Sequence, residues 1–196
     1  MSDIFKDVSD FESRLGLPSG FYEGLIKEDD WSFVIKISAL FEAASTHLLS
    51  VRFRAPEVES ELAFLEQANP RNGKVVLLEK MDAIYKDQAN FLTKLAGLRN
   101  QLAHKIENVN FNFPDYISNL DKHQLKSFVA WAGHGVIDET EFKGQKVTRH
   151  DLVTNNPKMS IWVTAAEVLA CMNLDIKGME VKMKMEAFGW YQSITS

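Results

Sequence analysis

The sequence predicts an all-α protein, a helical bundle of about five main helices with a minor β-hairpin in its C-terminal third. Two patterns support the all-α fold: apolar residues recur at helical spacing through most of the chain, and glycine or proline separates the apolar segments. The composition agrees, since 196 residues with 45% hydrophobic and 25% charged content suffice to bury a core typical of a globular domain.

The N-terminal third predicts two helices. Residues 4–15 place apolar side chains on one face of a short helix, and Gly16, Pro18 and Gly20 interrupt it before a short second segment. Asp29 or Asp30 is the expected N-cap of a long helix, which should end near residue 55 because a residue before proline avoids the α region. The core stripe of this helix is Val34, Ile37, Phe41, Ala44 and Leu48.

The middle of the chain predicts a short helix over residues 57–69, a turn at "NPRNG", and a helix from Lys74 to about Tyr85. We expect a break at residues 86–90. A further helix then follows, and its apolar stripe is Phe91, Leu95, Leu98 and Leu102.

The C-terminal part predicts two more helices around a less helical stretch. One spans residues 121–132, and the second begins at Pro157 after Asn156 as N-cap and ends before Gly178. Residues 135–153 are the least helical part, with a hairpin around Gly144, and the tail from 179 is expected to be a strand or a loose arm. The predicted organisation is therefore an N-terminal extension (1–28), a helical domain (29–178) and a tail (179–196).

Charge and cysteine content narrow the classes of function. The net charge of -5 argues against broad electrostatic binding of nucleic acid, so any such contact should be local. Cys171 is the single cysteine, which excludes an intrachain disulfide and a zinc site of several thiolates. No two histidines have i, i+4 spacing, and we expect neither a metal nor a cofactor. Met179, Met183 and Met185 are expected to serve packing.

The chain is expected to be cytoplasmic. No uninterrupted apolar run reaches the roughly 18 residues of a membrane span, and the first residues lack the basic and then apolar order of a secretory signal. A lone thiol also fits a reducing compartment.

The stretch "LRNQLAHKI", residues 98–106, carries the most chemical information. Leu98 and Leu102 belong to the apolar stripe, whereas Asn100 and His104 are four residues apart and share a face that points away from it. Arg99 lies at the edge of the stripe. These three polar residues are the candidate catalytic residues.

Helix geometry restricts how Arg99 and His104 can meet one ligand. A regular helix separates them by about 140°, which is too far for one helix to direct both at a small group. Two arrangements resolve this: a second copy of the chain supplies the other half of the site, or the helix ends before His104.

The residue types suit phosphodiester chemistry. The guanidinium of Arg99 offers a planar set of donors that matches phosphate oxygens, a histidine can give or accept a proton near neutral pH, and Asn100 can orient either group. Cleavage of RNA by its own 2′-hydroxyl needs this combination and can proceed without metal. A structural interpretation competes with it, in which Arg99 pairs with Glu42 or Glu79 and His104 merely helps to end the helix.

The run "LAGLRNQLAHKI" resembles the signature of the HEPN superfamily: an arginine, usually followed by a polar residue, then a short spacer and a histidine. Arg99, Asn100 and His104 match it. The runs "DDWSFVIKISALFEAASTHLL" and "NNPKMSIWVTAAEVLACM" are similar to the first and last helices of a subgroup that includes mannitol-operon repressor-like proteins. The resemblance covers about residues 29–175.

The resemblance implies a bundle of four to five helices that commonly dimerises. Many HEPN proteins are metal-independent endoribonucleases of toxin–antitoxin, antiphage or RNA-processing systems, in which Arg and His from two subunits form the active site. Others are non-catalytic regulators or interaction proteins, and the mannitol repressor-like members belong with these. Two hypotheses follow: an RNA-cleaving homodimer, with an antitoxin or regulatory protein as a further partner, or a regulatory protein of the same fold.

Overall fold

The computed structural model describes residues 4–142 and 145–195, and within them the chain is mostly helical. A helical bundle is therefore confirmed. The helices are α1 (Ile4–Arg14), α2 (Phe21–Leu25), α3 (Asp30–Phe53), α4 (Glu59–Ala63), α5 (Lys74–Lys80), α6 (Lys86–Ala103), α7 (Phe113–Ser118), α8 (Lys122–Ala132), α9 (Arg149–Asn155) and α10 (Pro157–Thr195), and the strands are β1 (Glu139–Phe142) and β2 (Gln145–Thr148).

Helix α3 lies at the centre of the bundle and packs against α6 and α10. The Asp29 carboxylate caps its first turn by accepting a 2.9 Å hydrogen bond from the Ser32 amide, and Arg54 ends it in the left-handed region at φ 56°. Both boundaries agree with the prediction. All five residues of the predicted stripe are buried, and Phe41 meets Phe91 of α6 with ring centroids 5.5 Å apart.

The N-terminal segment shares the same core. Val8 and Phe11 of α1 and Tyr22 and Leu25 of α2 are almost completely buried. Helix α1 lies along α10, and Lys177 of α10 donates to two aspartates of α1.

The break before α6 lies earlier than predicted. Helix α5 ends at Lys80, Asp82 adopts a left-handed backbone at φ 53°, and α6 begins at Lys86. The prediction of a break at residues 86–90 was wrong because Gln88 closes the helix start, accepting from the Tyr85 amide at 3.0 Å. The predicted helix over residues 57–69 is shorter too, since only α4 and the 3-10 turn Pro56–Val58 form there.

The predicted hairpin is present as an antiparallel pair, with Phe142 opposite Gln145, although its turn around Gly144 lies outside the described residues. Helix α9 follows it directly, which corrects the expectation of a non-helical stretch through residue 153. The Thr148 hydroxyl and the Asp151 carboxylate close the first turn of α9 and explain why a helix starts there.

The tail is neither a strand nor a loose arm, because α10 continues through Gly178 to Thr195. Ion pairs to preceding helices hold the continuation: Arg14 to Glu180 at 2.6 Å and Arg54 to Glu186 at 2.7 Å. These contacts join the continuation to the bundle even though glycine has a low helix propensity.

Two helices, α3 and the Pro157–Trp190 part of α10, are long and apolar enough to cross a membrane by length and composition. In each, 61% of the apolar window is buried inside the protein. Such burial is the usual state of a helix that forms the core of a bundle.

Candidate active site on helix α6

The predicted residues of helix α6 have the orientations that the helical wheel predicts. Leu98 and Leu102 are 4% and 6% exposed and face the core, whereas Asn100 and His104 are exposed and Arg99 is half-buried at the edge. The predicted separation between an apolar stripe and an outward polar face is confirmed.

The end of α6 matches one of the two arrangements that the sequence left open. The helix ends at Ala103, His104 is the residue that follows, and Lys105 turns to extended backbone at φ -135° and ψ 125°. His104 therefore lies directly after the C-terminal residue of α6 rather than within the helix.

A single cleft of about 440 Å³ is lined by Arg99, Asn100 and His104 together. Glu42 of α3 forms one side of it, and residues 65–69 form the other. One chain alone thus brings the three candidate residues to one solvent-facing space.

The wall opposite α6 depends on a tight turn. The Gly73 amide donates to the Asn69 carbonyl at 2.9 Å, and the Lys74 amide donates to the Glu66 carbonyl at 3.0 Å. A Cβ at Gly73 would lie only 2.5 Å from the Asn69 nitrogen. Any other residue would push this wall away from α6, so the glycine of "NPRNG" shapes the cleft from outside it.

Arg99 already has partners in the protein, but they use only some of its N–H donors. Its Nη2 forms an ion pair with the Glu42 carboxylate, and its Nη1 donates to the Asn100 side-chain oxygen at 2.9 Å. An arginine carries five N–H donors, so further donors remain for a ligand. Of the two partners expected from the sequence, Glu42 is the observed one.

The electrostatics of the cleft are mixed. Glu42 and Glu66 both line it, which opposes an approaching anion, although Glu66 accepts a hydrogen bond from Asn69 at 3.1 Å. Two exposed cations stand next to lining residues: Arg71 follows Asn69 by two positions and Lys105 adjoins His104. Neither has an ion-pair partner within the described part of the chain.

Within residues 4–142 and 145–195, no group of three or more His, Cys, Asp or Glu residues is placed to hold a metal ion. Two of the other histidines instead face carboxylates: His47 lies 3.2 Å from Glu59, and His134 lies 3.3 Å from Glu167.

Cys171 is a poor nucleophile in this environment. Burial, together with the neighbouring Glu167 carboxylate, raises the pKa of its thiol to about 11. The thiol donates to that carboxylate at 3.3 Å. The interpretation of Cys171 as an unreactive packing residue agrees with this environment.

The sequence did not point to the loop that faces α6. Gln67 is 7% exposed and anchors the loop by donating to the Ser45 hydroxyl of α3 at 2.9 Å. The only local signal was the Asn-Pro and Asn-Gly turn residues, which indicate a turn but not what the turn packs against.

No protein-family model, curated protein or solved structure matches the chain.

Proposed function

We propose that the protein is a HEPN-type, metal-independent endoribonuclease that acts as a homodimer through Arg99, Asn100 and His104. The observation that carries the proposal is the common cleft, in which a guanidinium, an amide and an imidazole line one solvent-facing space. The resemblance of "LRNQLAH" to the HEPN signature supports the same residues independently of their geometry. A toxin–antitoxin or antiphage system, a protein antitoxin and a cytoplasmic location belong to this proposal.

Each residue has a definite task in the proposed reaction. Arg99 binds a phosphate oxygen and stabilises the charge that grows at phosphorus. His104 transfers a proton, either from the attacking 2′-hydroxyl or to the leaving 5′-oxygen. Asn100, which already accepts from Arg99, orients the guanidinium.

A second chain completes the chemistry. Cleavage by the 2′-hydroxyl needs both a base and an acid, and the cleft of one chain offers a single histidine. Asn100 and His104 are exposed, so a two-fold partner that docks on the end of α6 brings a second Arg99 and His104 to the same space.

The test compares purified wild-type protein with His104→Ala on a labelled RNA in excess chelator. We expect the variant to lose at least 100-fold in rate, in line with the loss of a proton-transfer group, with unchanged circular dichroism. The matched control is His150→Ala, which removes an exposed histidine of α9 and should leave the rate within twofold. Equal cleavage by wild type and His104→Ala would refute the proposal.

A second candidate is a non-catalytic regulator of the same fold, similar to the mannitol repressor-like proteins. The ion pair of Arg99 with Glu42 favours it, because this contact gives the arginine a structural role within one chain. Under this alternative no RNA is cleaved under any condition, and Arg99→Ala weakens self-association in sedimentation experiments. Toxicity on expression that His104→Ala relieves would instead favour the nuclease.

A further inference from the structure

A groove of about 660 Å³ runs between α6, α7 and α8. Its volume is within the range of roughly 300–1,000 Å³ that is usual for ligand sites. Lys94 and Gln101 form its α6 wall and lie about 140° to 160° around the helix from Arg99. The groove is therefore on the opposite flank of the helix that carries the candidate active site.

The rim of the groove carries a lysine and a histidine and, among its described lining residues, no carboxylate. Lys94 of α6 and His123 of α8 line opposite walls and are exposed, and neither side chain has a hydrogen-bond or ion-pair partner in the described residues. The chain has 27 acidic residues, yet none lines this groove in the described structure. The lining chemistry thus fits an anionic group.

The floor of the groove is aromatic. Tyr116 is half-buried, and Phe128 and Trp131 are 1% and 5% exposed. The ring centroids of Phe128 and Trp131 are 5.0 Å apart, and those of Tyr116 and Phe128 are 5.8 Å apart. Phe128 and Trp131 are thus almost entirely covered and support Tyr116 from the core, and the partly exposed Tyr116 ring is the one on which a planar ring can pack.

Trp131 carries an unused donor. A buried tryptophan usually finds an acceptor for its N–H, but the indole N–H of Trp131 has none within the described chain. That nitrogen is not among the unpaired polar atoms that are sealed from solvent. The donor is therefore accessible from the groove that Trp131 lines, and an acceptor on a bound ring would satisfy it.

Gly97 lines the α6 wall of the groove. No atom lies within 4 Å of the position its Cβ would take, as is also true of Gly178 in α10. The glycine therefore leaves space beside the α6 backbone without indicating by itself what fills it.

We infer that this groove binds an unpaired nucleobase and its phosphate, so that it holds a single-stranded segment of the RNA that the Arg99 cleft acts on. The inference rests on the proposed RNA-directed function. The base packs on the partly exposed Tyr116 ring with an acceptor toward Trp131, and the phosphate lies at Lys94, with His123 on the opposite wall. One helix diameter, about 10 Å, separates groove and cleft, and a short strand spans that distance.

The experiment measures fluorescence anisotropy of a labelled 2′-O-methyl oligouridine, which cannot be cleaved through its 2′-oxygen. We expect Lys94→Glu to weaken binding at least tenfold and Trp131→Phe, which keeps the ring and removes the N–H, to weaken it about threefold or more. The matched control is Lys86→Glu, since Lys86 is an exposed lysine of the same helix that does not line the groove. It should change affinity less than twofold.

Each outcome separates the groove from the catalytic proposal. Equal losses for Lys94→Glu and Lys86→Glu, or no loss for Lys94→Glu, would overturn the inference, as would equal binding of a duplex of the same length. If wild type binds through Lys94 but cleaves no RNA, the groove stands and the nuclease proposal fails.

Discussion

At the level of the single residue, Arg99 can either pair with Glu42 within the chain or bind the phosphate of the proposed RNA ligand. Glu42 neutralises part of its charge, and Asn100 fixes one of its nitrogens. The pair with Glu42 orients the guanidinium but also places a carboxylate where a phosphate must approach. The two groups are each about one-third exposed (31% and 34%), so solvent weakens the pair and a phosphate can compete for the arginine.

Removing the charge of Glu42 should therefore favour an RNA ligand. We expect Glu42→Gln to bind the 2′-O-methyl oligonucleotide roughly three- to tenfold more tightly at low salt. The substitution removes from the cleft a negative charge that repels the phosphates of the oligonucleotide. Arg99→Ala should weaken binding in the same assay. Weaker binding by Glu42→Gln would show instead that the carboxylate is needed to position Arg99.

Cys171 gives a test of the interior that does not depend on function. A thiol pKa of about 11 leaves about one thiolate per thousand molecules at pH 8, against about one in four for an ordinary thiol of pKa near 8.5. Native protein should react with a disulfide reagent about 100-fold more slowly than protein in denaturant, by absorbance. Cys171→Ser sets the background, and native labelling within tenfold of the unfolded rate would contradict this environment.

How much of the site could be predicted differs from residue to residue. Arg99, Asn100 and His104 followed from one helix wheel, because helical spacing fixes which side chains face outward. Glu42 was one of two candidates, since only the packing of α3 on α6 decides between it and Glu79. The wall at Gln67 and Asn69 was not predicted, because it depends on a turn that contacts α3 across a distance in sequence.

At the level of the element, capping groups determine where helices start. Asp29 begins α3, Gln88 begins α6, and Asp121 begins α8. The sequence indicated Asp29, with Asp30 as its alternative, because an apolar stripe follows it directly; it did not indicate Gln88, which caps from inside the helix.

The cap of α3 should make stability depend on pH in a predictable direction. The hydrogen bond to Ser32 lowers the pKa of Asp29, so its contribution is present above the unfolded value of about 3.9 and lost as pH falls through the lower folded pKa. Asp29→Ala should cost about 1 kcal/mol of unfolding free energy at pH 7.

Denaturant titrations at several pH values measure this. The difference in stability between wild type and Asp29→Ala should shrink as the pH falls below about 4. The control, Asp29→Asn, keeps an acceptor without a titrating group, so its difference from Asp29→Ala should stay constant. If the stability difference between wild type and Asp29→Ala does not change with pH, the hydrogen bond assigned to Asp29 is contradicted.

Helix α10 shows where local patterns were insufficient. Gly178 and the alternation after it suggested that the helix had ended, but α1 and α3 supply Arg14 and Arg54 as partners for Glu180 and Glu186. These contacts are long-range, so a pattern over a few neighbouring residues does not contain them.

At the level of the whole molecule, α3, α6 and α10 form one core, and two distinct concave surfaces flank α6. The net charge of -5 is compatible with an RNA ligand because the cations Lys94, Arg71 and Lys105, unpaired in the residues that the structure describes, lie at or beside these surfaces. Binding should weaken with salt along a shallow slope, because the few local cations contact few phosphates.

The most direct measurement is an end-group analysis of RNA incubated with the purified protein in excess chelator. Attack by the 2′-hydroxyl, assisted by His104 and Arg99, predicts products with a 2′,3′-cyclic phosphate and a 5′-hydroxyl, and no cleavage at a position carrying a single 2′-deoxy substitution. Intact RNA, or fragments with 3′-hydroxyl ends that His104→Ala produces equally well, would contradict the account.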